Sequence, residues 1–241
     1  MTLYLLGISR SEDLARLPCS LASPRSVVRN REPAEACLEP RQDAISWVVE
    51  EALSAATVQP LPPPRGQLRH GALLTAIHRC IDILPARLGI VLPGENALRE
   101  FLHRQQEKLL QDLERLRGTS EIGLRIEFPP SSAAPCPALA NHRRDTALSP
   151  SGYLAVRRRE FARKDRLDRQ AQLASEFYVR GLKGLYQERR RLAAPPGVLR
   201  LAFLVSRKRC EAFRERVSML GAASAWERCT RLGPWPPYSF V

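Results

Sequence analysis

The stretch Glu121-Ile122-Gly123-Leu124-Arg125-Ile126-Glu127-Phe128 decides the fold class. Ile122, Leu124, Ile126 and Phe128 alternate with Gly123, Arg125 and Glu127, the period of a strand with one buried face. Just upstream, Leu98, Phe101, Leu102, Leu109, Leu113 and Leu116 recur at helical spacing across 95–117, and Gly118-Thr119-Ser120 ends that helix. Before it, Ala86 to Leu92 reads as a strand, stopped by Pro93 and Gly94. Leu73, Leu74, Ile77, Cys80, Ile81 and Leu84 share one face, which predicts an amphipathic helix over 68–83. Nearer the start, 2–8 reads as a strand, Ser26-Val27-Val28-Arg29 as a short one, and 45–49 as another, with a short helix through Ala56 competing. Pro60 to Pro64 is a stiff loop, because proline fixes φ and removes a donor.

Downstream, residues 129–150 are rich in Pro, Ser and Ala and read as a loop or flexible insert. A long helix is predicted from Ser151 to about Leu192, with Leu167, Ala171, Ala174, Phe177, Tyr178, Leu182, Leu185 and Tyr186 on one stripe. Gly181 and Gly184 are places for it to break, each costing about 1 kcal/mol relative to Ala. Leu199, Leu201, Phe203 and Val205 alternate on a strand, Cys210, Phe213, Val217 and Leu220 mark a helix over 207–220, and 225–231 reads as a last strand. Strand, helix and strand thus follow one another twice. The pattern predicts an α+β protein of two small domains, 1–118 and 119–241, each a small sheet covered by helices. The second carries the insert at about 129–150 and a proline-aromatic tail at 233–241.

The chain has 241 residues, 44% hydrophobic and 26% charged, enough apolar material for a packed core. No apolar run reaches the about 18–20 residues that span a bilayer, and the start lacks the basic stretch of a signal peptide. A cytoplasmic, non-membrane protein is expected. Six widely spread cysteines, with no C-x-x-C spacing, read as free thiols in a reducing compartment. The net charge of +13 is local: residues 141–216 hold 20 Lys and Arg against 8 Asp and Glu, a net of +12. An acidic partner should meet that region.

Chemistry-bearing motifs are sparse. Neither G-x-x-x-x-G-K nor G-x-G-x-x-G occurs, and a G-x-S-x-G elbow is absent. His78 and Cys80, two apart on a helix, point to different faces, so no metal site is expected. Asp165 and Asp168 sit among arginines, where helical ion pairs account for them. The reading is a non-enzyme with no cofactor. Arg157, Arg158 and Arg159, with Arg163, Lys164, Arg166 and Arg169, form a basic helix. It is a solvated, ion-paired face, a docking face for an acidic protein surface, or a nucleic-acid contact. No reading helix, zinc finger or aromatic RNA-binding strand accompanies it, so nucleic acid is the alternative and not the expectation.

The chain closes with Gly233-Pro234-Trp235-Pro236-Pro237-Tyr238-Ser239-Phe240-Val241. The prolines hold the backbone extended, and Trp235, Tyr238 and Phe240 hang large rings on that rod. It is either a clasp across its own domain or a partner contact. Taken as a clasp on the second domain, Trp235→Ala should cost about 3–5 kcal/mol.

This ending resembles that of gas vesicle accessory proteins of the F/L family, which finish in Gly-Pro-Trp-Pro-Pro-Tyr-Ser-Phe. Tyr4-Leu5-Leu6-Gly7-Ile8 looks like that family's opening strand. His70, Leu74, Leu84-Pro85, Arg87 and Gly89 look like its His-helix and its Leu-Pro-x-Arg-Phe-Gly stretch. Ser151-Gly152-Tyr153-Leu154 and the arginines after it look like the start of its long helix. Leu88 stands where Phe is usual, Leu232 precedes the Gly where Thr is common, and 11–66 match poorly. The resemblance implies two α+β domains, the second ferredoxin-like with variations. It implies a protein needed for gas vesicle formation, located in the cytoplasm and at the gas vesicle. Such a protein is a minor component or assembly factor that binds the small hydrophobic shell protein and other accessory proteins. Arg87 would be a structural arginine paired inside its domain, or a ligand-binding one.

Overall fold

A computed structural model describes residues 3–18, 21, 45–58, 65–128, 150–223 and 228–241. The expected strand at Ser26–Arg29, the proline loop at 60–64 and the insert at 129–149 lie outside the described residues. The chain forms two compact units: 1–121 together with Pro234–Val241, and Ile122–Gly233. The division falls three residues after the expected Gly118. The last eight residues group with the first unit, not the second.

In the first unit β1 (Leu3–Arg10) is the centre of an antiparallel sheet. It pairs with β3 (Leu53–Val58), which pairs with β2 (Ser46–Glu50); β4 (Leu84–Pro85) and β5 (Val91–Leu92) pair with β1 on its other side. Of the expected strand over 86–92 only Val91–Leu92 forms; the residues before it make a turn in which Gly89 has φ +93°, and Leu84–Pro85, at the end of the expected preceding helix, pair with β1 instead. Helix α1 (Arg65–Cys80) lays Leu74, Ile77 and then Ile81 against Leu6, Trp47, Ala56 and Val58. Helix α2 (Glu95–Arg115) packs on β1, β2 and β3. With helices on the sheet, every position of β3 is buried, including Ser54, whose Oγ lies 3.0 Å from Ser9 Oγ. The competing helix through Ala56 is excluded: Ala55 and Ala56 are small because a covered sheet leaves them no room, not because they favour a helix.

In the second unit the elements run β6 (Thr119–Glu127), α3 (Pro150–Gly181), β7 (Glu188–Leu192), β8 (Val198–Ser206), α4 (Cys210–Ala223) and β9 (Arg228–Trp235). The strand order is β7-β8-β6-β9. An order β-α-β-β-α-β is that of ferredoxin-like domains. The core gathers Ile122, Leu124 and Ile126 of β6, Leu199, Leu201, Phe203 and Val205 of β8, Ala174 and Tyr178 of α3, and Phe213 and Val217 of α4. The long helix ends at Gly181, eleven residues before the expected Leu192. There a Cβ would stand 2.7 Å from Leu220 of α4, and Gly184 has φ +85°. Arg216 and Arg209 donate to the carbonyls of Gly181 and Gly184 at 3.1 and 2.6 Å, satisfying orphan acceptors at the helix end. The residues thereafter form β7, antiparallel to β8. The last strand also differs from expectation, running to Trp235 and not ending at 231.

Candidate functional site

The tail turns tightly on itself: the Tyr238 and Phe240 N–H groups donate to the carbonyls of Pro236 and Pro237 at 2.8 and 3.1 Å. This drives the Phe240 ring into the first unit, where it is 0% exposed, and buries Pro236 and Pro237. Arg115 at the end of α2 donates to the Phe240 carbonyl at 2.7 Å. Ser239 gives both its donors, backbone N–H and Oγ–H, to the two oxygens of buried Glu121, each at 2.7 Å. Charge-assisted bonds of this kind are among the stronger ones in proteins. Trp235, by contrast, is 40% exposed. The expected core penalty does not apply to it, because the tail anchors through Phe240.

Tyr238 leans on His70, ring centroids 6.4 Å apart, and His70 meets Tyr4 edge-on at 5.6 Å. The Tyr4 hydroxyl accepts from the Gly89 N–H at 3.0 Å. Strand β1, helix α1, the β4–β5 turn and the tail are thereby joined through three rings. His70 is buried, and neither ring nitrogen has a hydrogen-bond partner of good geometry. Burial lowers its pKa, against a smaller opposing influence of the Ala86 backbone. Burial, with Tyr4 and Glu121 nearby, pushes the Tyr238 hydroxyl up to about 12. Both groups are thus held neutral. The arrangement is suited to holding elements together and not to moving protons.

Arg87 is exposed on the turn between β4 and β5. It stands beside Leu88, Ile90 and Val91, all large and exposed. Arg157, Arg158 and Arg159 are exposed on α3, in the other unit from the tail. The Arg157 guanidinium lies over two rings of its own helix, 5.9 Å from Tyr153 and 5.7 Å from Phe161, and reaches Glu160 at 3.3 Å. A cleft of 290 Å³ opens in the second unit between α3 and the β7–β8 turn. Its charged lining is Lys164, Asp168, Arg191 and Arg200. Among the described residues no three His, Cys, Asp or Glu side chains cluster as a metal site would need. Cys210, partly buried, has its thiol pKa raised by burial, the opposite of an activated thiolate.

A family model described as gas vesicle synthesis protein GvpL/GvpF matches residues 4–241. The chain belongs to this family. It is 30% identical over 220 residues to gas vesicle protein L of a Streptomyces species, covering 86% of this chain and 74% of that one. The crystal structure of GvpF from Anabaena matches 99% of this chain and 97% of its own, at 17% identity and a TM-score of 0.67. GvpF from Microcystis aeruginosa matches with the same score at 15% identity, over 99% and 98%. These likenesses establish the fold, and family membership gives the chain a gas-vesicle-associated role. The segments that carried the GvpL/GvpF resemblance, far apart in sequence, now meet: Tyr4, His70, Gly89 and Tyr238 form one contact chain in the first unit. No helix among the described residues is long and apolar enough to cross a membrane.

Proposed function

We propose that this chain is a non-enzymatic accessory protein needed for gas vesicle formation. It binds the small hydrophobic shell protein and other accessory proteins, and so limits their aggregation while a vesicle nucleates, in the cytoplasm and at the vesicle itself. The observation that carries this reading is family membership over residues 4–241. The use made of the signature residues supports it: they fasten the tail to the first unit, and the titratable ones among them, His70 and Tyr238, are held neutral. The β-α-β-β-α-β order supports a ferredoxin-like second unit. Nucleic acid is not the expected partner, since Glu160, Asp165 and Asp168 interrupt the arginines of the basic helix and no reading motif accompanies it. Deleting the encoding gene from a vesicle-forming host should abolish or impair flotation. Normal vesicles in the deletion strain would sink the proposal.

A further inference from the structure

Helix α3 is longer than the sheet it packs on. Its 32 residues span about 48 Å, whereas the nine-residue strands β6 and β8 span about 30 Å. About 18 Å of helix, some three turns, therefore extends past the sheet. Burial leaves still more of the helix open: no residue from Tyr153 to Gln170, about 27 Å of helix, is buried, and Ala171 is the first that is. The stripe that faces the core does not stop where the sheet stops. At about 100° per residue, Tyr153, Arg157 and Lys164 fall in the same sector as buried Ala171 and Tyr178, and Phe161 at its edge. Tyr153 is 52% exposed, Phe161 59%, and Leu154 at the edge of the stripe 55%. The inner end of this ledge runs into the 290 Å³ cleft, where Lys164, Leu167 and Ala171 face Phe128, Arg191 and Arg200.

We propose that this ledge docks a protein segment that is apolar on one face and acidic on its flanks, most simply an acidic amphipathic helix. The inference rests on the reading that the chain works by binding proteins, and names the face and the chemistry. Apolar side chains in line with a core stripe call for an apolar cover. Cations stand among and beside them: residues 153–169 hold seven Lys and Arg against three Asp and Glu. A second copy brings a net charge of +13 to a face of the same sign. The chain's own 129–149 segment brings Arg143 and Arg144 against Asp145, no other acid and no Phe, Tyr or Trp, so neither has the complementary charge.

The full chain should be titrated with a labelled synthetic helix bearing leucines on one face and glutamates on the other. Controls are a scramble of that peptide, a version with Lys in place of Glu, poly-glutamate and duplex DNA. The Leu/Glu helix should bind at least about tenfold tighter than any control peptide, and Phe161→Glu or Arg157→Glu should weaken it about tenfold. Melting should not change, since both side chains are exposed. Equal binding of a control peptide, no binding, or unaffected variants would overturn the proposal. So would preferred DNA binding, or self-association of the wild type that Phe161→Glu abolishes. The Phe161→Glu gene should then be returned to the deletion strain. Restored flotation rejects the ledge alone, whereas normal vesicles in the deletion strain reject the wider reading.

Discussion

Replacing Phe240 by Ala should loosen the first unit and leave the second intact. The ring is wholly buried, so its removal costs the transfer energy of the lost atoms plus a cavity, about 3–5 kcal/mol. The bond from the Arg115 guanidinium to the Phe240 carbonyl and the Ser239–Glu121 pair do not need the ring, so the loss is one of packing. For a unit of this size the melting temperature should fall by about 10–15 °C. Hydrogen exchange read peptide by peptide should show lost protection in β1 and α1, with β7 and β8 unchanged. Trp235→Ala should cost only about 1–2 kcal/mol, in proportion to the smaller area its ring hides. Lost protection in β7 and β8, or a larger effect at Trp235 than at Phe240, would refute the assignment of the tail to the first unit.

Because the folded state lowers the His70 pKa, the unfolded chain binds the proton more readily. Its contribution to stability is present above the ordinary value of 6.5 and is lost as pH falls below it. His70→Phe should therefore lie within about 1 kcal/mol of wild type at neutral pH, where orphan ring nitrogens are removed, and exceed it at pH 5 in urea melts. Tyr238, raised to about 12, contributes stability that is full below the ordinary value of 10 and is lost as pH rises from there through about 12, and Tyr238→Phe should flatten that alkaline decline. Gly7→Ala should cost more than about 2 kcal/mol, because its Cβ would meet the Leu84 carbonyl oxygen at 2.7 Å, backbone that cannot yield; near-wild-type melting would contradict the register. Glu51, at φ 43° in the β2–β3 turn, should gain about 1 kcal/mol on replacement by Gly, seen as a higher urea midpoint.

What was legible in the sequence were the elements whose chemistry repeats. Helix α2 was found because its leucines mark one face, and β6 and β8 because apolar and polar residues alternate along them. Strand β7, Glu188 to Leu192, was not, because an edge strand of successive arginines has no buried face to print a period. Strand β3 was missed for the opposite reason: buried on all sides, Leu-Ser-Ala-Ala-Thr-Val shows no alternation, and its alanines suit a helix equally well. The tail's destination was beyond local reading altogether. Ser239 finds Glu121 118 positions away, and nothing in the proline-aromatic motif states which surface it will meet.

That long reach changes what the family signature means. Tyr4, His70, Gly89 and Tyr238 are spread over nearly the whole chain, yet their partners are largely one another. Side chains so engaged are a poor place to seek a partner's footprint. The other matched segment, Tyr153-Leu154 and the arginines after it, is in the reverse condition: the sheet ends before it, and its rings and cations stay exposed. One part of the signature thus serves to complete the first unit, and that unit lacks Phe240 until residues beyond the second unit are in place. Binding is then to be sought on the helix that the fold extends past its own core, where an apolar stripe and a local positive charge coincide.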